Sequence, residues 1–136
     1  MHRKINYISR ASQIISFTGL ERRRNIAPTD IDGFIDYNGN AFVYMDAKYG
    51  DVKLSIGQRK AYENLVKSHT LSGKQSVAFI FRHNTPVGED VIAKDGLVEE
   101  YFSSVTDGWV ELKNKWSVLE FIECFEKYWD NKGINL

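Results

Sequence analysis

The fold is decided by residues 28–48, which read PTDIDGFIDYNGNAFVYMDAK and form two strand-like runs around a turn. The runs are Ile31 to Tyr37 and Ala41 to Lys48, and Asn38-Gly39-Asn40 separates them. Asn-Gly between β-rich runs indicates a hairpin, because glycine tolerates a positive φ. The second run begins Ala-Phe-Val-Tyr-Met, and such an apolar run is typical of a central strand buried on both faces. We therefore predict a hairpin whose second strand lies inside a sheet.

The remaining sequence predicts helices and strands on either side of this hairpin. Capping boxes, in which a serine and the residue three positions later bond each other's backbone, begin two of the helices at Ser55-Gln58 and Ser117-Glu120. We expect helices over 8–20, from 55 to about 70–73, and from 117 to about 130; a buried strand over 76–82; weaker strands over 91–93 and 98–102; and an edge strand over 108–112. The order α-β-β-α-β predicts an α/β domain, a mixed β-sheet flanked by helices.

The composition fits one globular domain over residues 1–136, with 43% hydrophobic and 26% charged residues. Cys124 is the single cysteine, which excludes an internal disulfide and a site built from several thiolates. We find no apolar run near the roughly 18 residues that a membrane span needs. The N-terminal residues lack the apolar core of a signal peptide. We expect a soluble protein of a reducing compartment with no membrane partner.

The charges are unevenly distributed although the formal net charge is zero. Residues 1–85 carry 13 basic and 7 acidic side chains, and residues 86–136 carry 5 basic and 11 acidic. A basic N-terminal half can supply contacts to phosphates. Zero net charge argues against a protein that binds nucleic acid through bulk electrostatics alone.

The hairpin carries the residues that suggest chemistry. Asp46 and Lys48 are two apart on one strand, so both side chains point to the same face. A charge within an apolar strand is expected to be partnered or functional, because burying a lone charge is costly. Asp30 and Asp32 lie at the start of the first strand, and they also share a face.

The length of the hairpin loop decides which aspartates meet. A two-residue loop sets Ile31 opposite Asp46 and turns Asp32 to the other face. A three-residue loop sets Asp32 opposite Asp46 when it spans 38–40, and sets Asp30 there when it begins one residue earlier. Directly opposed Cβ atoms lie about 5 Å apart, and two carboxylates that close repel each other unless a proton or a cation lies between them. We predict an odd-length loop or a bulge, with an acidic cluster that needs a metal.

The expected metal is Mg²⁺, which binds through one or two carboxylates and keeps several waters. Lys48 would lie beside that cation, and a second positive charge there makes sense when an anionic substrate binds as well. This arrangement suits metal-assisted phosphodiester hydrolysis, in which the metal lowers the pKa of water and stabilises charge on phosphorus.

The stretch from Asp32 through Asp46-Ala47-Lys48 resembles the signature of the PD-(D/E)XK nuclease superfamily. In that superfamily an Asp opens one strand, and an acidic residue, any residue and a Lys end the apolar run of the next. The resemblance implies a restriction-endonuclease-like core in which Asp32, Asp46 and Lys48 are catalytic. Asp32 and Asp46 would hold the metal, with Asp30 as the competing candidate for the first position.

Gln58-Arg-Lys-Ala-Tyr62 resembles the Gln-x-x-x-Tyr motif that the RecB-type and lambda-exonuclease-type branches carry on the following helix. The resemblance implies that Gln58 approaches the metal site as a further catalytic residue and that Tyr62 supports it. Many relatives also use an acidic residue of the first helix. Glu21 is the only acidic residue before Asp30 and is the candidate for that role.

The resemblance implies a DNA endonuclease that depends on Mg²⁺ or Mn²⁺ and acts on duplex or branched DNA. Without an obvious sequence-reading element it would be structure-selective, similar to a Holliday-junction resolvase, and a homodimer would suit two-strand cutting. The sequence TDIDGFI in a short chain also looks like small nuclease-like proteins of phages and prophages. This likeness implies that the protein acts in the bacterial cytoplasm. The alternatives are a nuclease-like module that binds DNA or protein without cutting, and an ordinary α/β interaction module. Candidate DNA contacts are Arg22, Arg23, Arg24, Lys53, Arg59 and Lys60.

Overall fold

The computed structural model describes residues 16–136, which form a five-stranded mixed sheet with two α-helices. The strands follow one another across the sheet in chain order, and β2 and β3 are its parallel pair. The elements are β1 (Gly33–Asp36), β2 (Ala41–Tyr49), α1 (Ile56–Leu71), β3 (Gln75–His83), β4 (Leu97–Ser103), β5 (Val110–Ser117) and α2 (Val118–Asn131), with 3₁₀ turns at Arg23–Asn25 and Ala93–Asp95. The α/β class and the mixed sheet are confirmed.

The β1–β2 hairpin closes through the three-residue loop 38–40. The Tyr37 N–H donates to the Ala41 carbonyl at 3.0 Å, and the Asn40 N–H donates to the Tyr37 carbonyl at 3.0 Å. Asn38 and Gly39 adopt positive φ values of 54° and 78°, which is why Asn-Gly suits this turn. The predicted odd-length loop is therefore confirmed.

Helix α1 is the crossover between the parallel strands β2 and β3. Its first turn is fixed by the predicted capping box, in which the Ser55 side chain accepts from the Gln58 N–H and Gln58 reaches back to the Ser55 backbone. Tyr62 and Val66 are its buried residues and pack on one face of the sheet. This β-α-β unit sets the start of α1 beside the end of β2.

Helix α2 covers the opposite face and completes a three-layer arrangement. Ser117 and Glu120 form the second predicted capping box. Alternate strand residues divide between the two faces, because the side chains of a strand alternate in direction. The face toward α2 buries Ala41, Val43, Val77, Phe79, Phe81, Val98, Val118, Phe125 and Trp129, and the face toward α1 buries Tyr44, Leu54, Tyr62, Val66, Ala78, Ile80 and Phe102.

The structure differs from the sequence prediction in three places. Residues 8–15 of the predicted helix over 8–20 lie outside the described residues. Residues 16–20 form a turn, in which the Leu20 N–H donates to the Phe17 carbonyl. The predicted strand over 91–93 is wrong, because this segment is a loop that enters a 3₁₀ turn. The edge strand β5 begins two residues later than predicted and continues to Ser117.

Candidate active site

The hairpin register brings Asp32 and Asp46 together. Gly33 pairs with Met45, so the same register sets Asp32, one residue before β1, opposite Asp46. The Ala47 N–H donates to Oδ2 of Asp32 at 2.7 Å, which ties Asp32 to β2. Asp32 is exposed, whereas Asp46 is buried with 1% of its surface accessible. The pair therefore joins one buried and one exposed carboxylate.

Gly33 leaves room for the side chain of Met45, its partner on β2. A Cβ atom on Gly33 would lie 2.5 Å from Cγ of Met45, which is closer than side-chain atoms pack. A larger residue at this position would therefore require the Met45 side chain or the strand to shift. The sequence analysis did not single out Gly33, although a glycine within a strand signals a close approach of another chain segment.

The buried carboxylate of Asp46 has two partners of different kinds. Tyr62 Oη donates to Oδ1 at 3.0 Å. The Lys48 ammonium lies 3.2 Å from Oδ2, and that oxygen otherwise accepts no hydrogen bond although it is buried. Burial raises the pKa of Asp46, and the charge of Asp32 raises it further, while Lys48 and Tyr62 oppose the shift. The site thus holds a buried carboxylate whose two oxygens contact an ammonium and a phenol.

Tyr62 of α1 contacts the buried carboxylate of Asp46 through its hydroxyl, and its role at a metal site stays a prediction. The tyrosine is 2% exposed, and its pKa is raised by burial first and then by the charges of Asp46, Asp32 and Asp30. A phenol in these surroundings stays protonated and remains a hydrogen-bond donor. It holds Asp46 in one orientation and leaves Oδ2 facing Lys48.

Lys48 also contacts Gln58, the capping residue of α1. Lys48 Nζ donates to Gln58 Oε1 at 3.2 Å, and the same oxygen lies 3.4 Å from the Ser55 backbone nitrogen. Gln58 therefore caps the helix and orients the lysine at once. The Lys48 side chain is 17% exposed, so its ammonium reaches the surface on the face that carries Asp46.

The two outer acidic candidates occupy different positions. Asp30 is exposed, and its charge reaches the site, since it contributes to the raised pKa of Tyr62. Glu21 is exposed and accepts a hydrogen bond from the Gly19 N–H at 2.9 Å, a contact within its own turn. The role of Asp30 as a metal ligand therefore stays a prediction, and the described contact of Glu21 is a local one.

The predicted DNA contacts divide into free and engaged residues. Arg59 forms a bidentate ion pair with Glu100, at 2.6 and 3.2 Å, and its guanidinium lies 4.6 Å from the Trp109 ring centroid. Its contact with DNA stays a prediction and would compete with this pair. The other five are exposed: Arg22, Arg23, Arg24, Lys53 and Lys60.

A second charged group next to the site was missed by the sequence analysis. The pairing of β3 with β4 shifts between Ile80 and Phe81, and this irregularity turns Glu99 and Glu100 toward charged partners. Arg82 binds Glu99 at 2.5 and 3.0 Å, while Glu100 binds Arg59. The adjacent Glu-Glu was the available signal, but its partners come from distant segments.

The acidic pair fits Mg²⁺ better than it fits a transition metal. Within residues 16–136 no group of three or more His, Cys, Asp and Glu side chains is arranged to hold a metal. A site that binds Mg²⁺ through two carboxylates and waters does not need such a group. Asp46 and the opposed Asp32 would be the two carboxylates that hold such an ion.

Comparison with protein-family models, curated proteins and solved structures finds no significant match for this chain. No helix in the part of the chain that the structure describes is long and apolar enough to cross a membrane.

Proposed function

We propose that this protein is a Mg²⁺-dependent DNA endonuclease of the PD-(D/E)XK kind, with a restriction-endonuclease-like core. The observation that carries the proposal is the register that sets Asp32 opposite the buried Asp46, with the Lys48 ammonium 3.2 Å from Oδ2 of Asp46. A buried carboxylate such as Asp46 costs free energy. A bound cation would explain the opposed carboxylate of Asp32, and an anionic substrate would explain the ammonium of Lys48.

The residues divide the work of phosphodiester hydrolysis among them. Asp32 and Asp46 would hold the cation, and Asp30 is the competing candidate for the first position. When bound, Mg²⁺ would lower the pKa of a coordinated water and stabilise the charge that develops at the scissile phosphate. Lys48 donates a hydrogen bond to the attacking water or to a phosphate oxygen, and Gln58 fixes the direction of its ammonium.

The fold supports this assignment beyond the motif. Asp32 directly precedes β1 and lies opposite Asp46 of β2, and α1 follows with Gln58 in contact with Lys48 and Tyr62 in contact with Asp46. Residues 33–83 thus follow the β-β-α-β part of the order that the resemblance implies. Small structure-selective nucleases such as Holliday-junction resolvases share this chemistry, and a homodimer would pair two such sites on branched DNA.

A cleavage assay tests the proposal. The substrates are supercoiled plasmid, linear duplex, single strand and a four-way junction, each with Mg²⁺, Mn²⁺ or EDTA. Wild-type protein is compared with Asp46→Asn, with Lys48→Gln, and with Asp107→Asn as a matched control on an exposed carboxylate. We expect metal-dependent cutting that both site variants lose by a factor of about 10² or more and that the control retains. Equal cutting by wild type and both site variants would contradict the proposal.

One observation favours a second function, a nuclease-like module that binds DNA or a protein partner without cutting. Lys48 already neutralises Asp46 in the absence of a metal, as a purely structural ion pair would. That function predicts binding without cleavage in any metal. It also predicts that Mg²⁺ leaves the melting temperature of the protein unchanged.

A further inference from the structure

Phe34 is an exposed aromatic residue on the same sheet face as the acidic pair. It lies two positions after Asp32 on β1, and successive side chains of a strand alternate between faces. It pairs in register with Tyr44, which lies two positions before Asp46 on β2. Phe34 is 52% exposed, although its neighbour Ile35 packs into the core on the opposite face.

The rings behind Phe34 are held in fixed positions. Phe34 stacks on Tyr44 with ring centroids 5.1 Å apart, and on Phe42 at 6.1 Å with an interplanar angle of 6°. Phe42 stacks in turn on His69 of α1 at 4.1 Å, and Tyr44 Oη lies 2.6 Å from Nε2 of His69. Phe34 is therefore the outermost ring of a supported stack, with half of its surface open.

The distance from Phe34 to the acidic pair matches one nucleotide. Two residues along a strand span about 7 Å, which a nucleotide covers between its base and its phosphate. A strand whose phosphate lies at Asp32 and Asp46, beside the Lys48 ammonium, therefore brings a neighbouring base over Phe34. Within a duplex that base is already stacked between its neighbours, so an unpaired base is the one that fits.

We propose that Phe34 stacks on an unpaired nucleobase next to the scissile phosphate, so that the substrate is single-stranded DNA or a DNA junction with unpaired nucleotides. This inference rests on the proposed function and adds its substrate class. Aromatic platforms bind bases with little sequence preference, because every base has a π-face. The expected enzyme therefore recognises the absence of base pairing rather than a sequence.

The test measures DNA binding by fluorescence anisotropy in EDTA, where no cleavage occurs. The probes are a labelled 20-mer single strand, the same strand with a short abasic tract, and the corresponding duplex. The variants are Phe34→Leu, which keeps an apolar contact with Tyr44, and Phe34→Tyr, which keeps a ring. Tyr128→Ala is the matched control, because Tyr128 is a 42% exposed aromatic on α2, on the other side of the sheet. Thermal melts establish that each variant folds.

We expect Phe34→Leu to weaken single-strand binding about tenfold and to leave duplex binding within twofold. Phe34→Tyr and Tyr128→Ala should bind as the wild type does. The abasic tract should weaken the wild type and have little further effect on Phe34→Leu, because both changes remove the same stack.

Three results would overturn the inference. The first is equal single-strand affinity of wild type and Phe34→Leu, and the second is an equal loss of affinity for single strand and duplex in Phe34→Leu. The third is a change from dimer to monomer in Phe34→Leu, which would assign Phe34 to a protein interface. The proposed function fails by a separate readout, the absence of metal-dependent cleavage. Binding in EDTA reports base stacking whether or not the protein cuts.

Discussion

Replacing Asp46 with Asn should make the protein more stable while removing its metal response. Asn keeps the size of the side chain and can still accept the hydrogen bond from Tyr62. It removes a charge that is 1% exposed, that faces Asp32, and whose Oδ2 contacts the Lys48 ammonium at 3.2 Å. The substitution therefore relieves a cost that the native residue carries for its function.

The size of the gain follows from the burial of that charge. A buried polar group without its hydrogen bonds costs about 1–3 kcal/mol, and a charged group costs more; the Lys48 ammonium at 3.2 Å offsets much of this cost for Asp46. We expect a gain of about 1 kcal/mol at pH 7.5, which raises the melting temperature of a chain of this size by about 4 °C. The assay is thermal unfolding followed by circular dichroism in EDTA.

The gain should depend on pH with a definite sign. Because burial raises the pKa of Asp46 in the folded state, the native protein loses stability relative to the Asn variant as the pH rises through that raised pKa. Below the ordinary value of 3.8 the carboxyl is protonated in both the folded and the unfolded state, and the difference closes. Asp51→Asn, an exposed carboxylate at the end of β2, is the control and should stay within about 0.5 kcal/mol of wild type.

Mg²⁺ should stabilise the wild type and leave the stability of the Asn variant unchanged. For a site with a millimolar Kd, 10 mM Mg²⁺ stabilises the wild type by about 1.4 kcal/mol, which cancels the advantage of the Asn variant. The variant should show no shift. An Asp46→Asn protein that melts several degrees below wild type in EDTA would refute the reasoning, because the ion pair with Lys48 would then be a net structural contribution.

Three further predictions concern the support of the site. Gly33→Ala should lower the free energy of unfolding by about 1–3 kcal/mol in urea titrations, and Met45→Ala in the same chain should restore part of it; an unchanged midpoint would contradict the close approach. Tyr62→Phe should cost about 1–2 kcal/mol at neutral pH, since Asp46 loses its donor, and a cost below 0.5 kcal/mol would refute that role. Glu99, whose pKa is lowered by its paired arginine, contributes stability above pH 4.5 that is lost as the pH falls through the lowered value; the melting temperatures of Glu99→Gln and wild type should therefore converge in acid, and a constant difference would contradict the pairing.

The acidic pair could be predicted because it depends on local rules. Turn chemistry at Asn38-Gly39 limits the loop length, and the two-residue period of a strand then decides which aspartates meet. The capping serines of both helices follow the same logic, since a cap depends on residues three positions apart. The hairpin register and the two helix caps therefore depend on residues that are close together in the sequence.

The remaining parts depend on contacts between distant segments. Arg59 looked like a free phosphate contact because its partner Glu100 lies 41 positions away and reaches it through the irregular pairing of β3 and β4. Phe34 lies on an edge strand and is 52% exposed, although the hairpin sequence gives no sign of which of its apolar residues stay open. Neither the ion pair of Arg59 nor the exposure of Phe34 could be predicted from the residues next to it in the sequence.

The rate of plasmid nicking by wild type relative to Asp46→Asn, in Mg²⁺ and at equal folded fractions, tests the central claim most directly. Since the variant is expected to be the more stable protein, a loss of activity cannot be assigned to unfolding. The account predicts a rate at least about 10² lower for the variant and no nicking by either protein in EDTA. Equal rates for the two proteins, or no cleavage of any substrate by a folded wild type in Mg²⁺ or Mn²⁺, would contradict it.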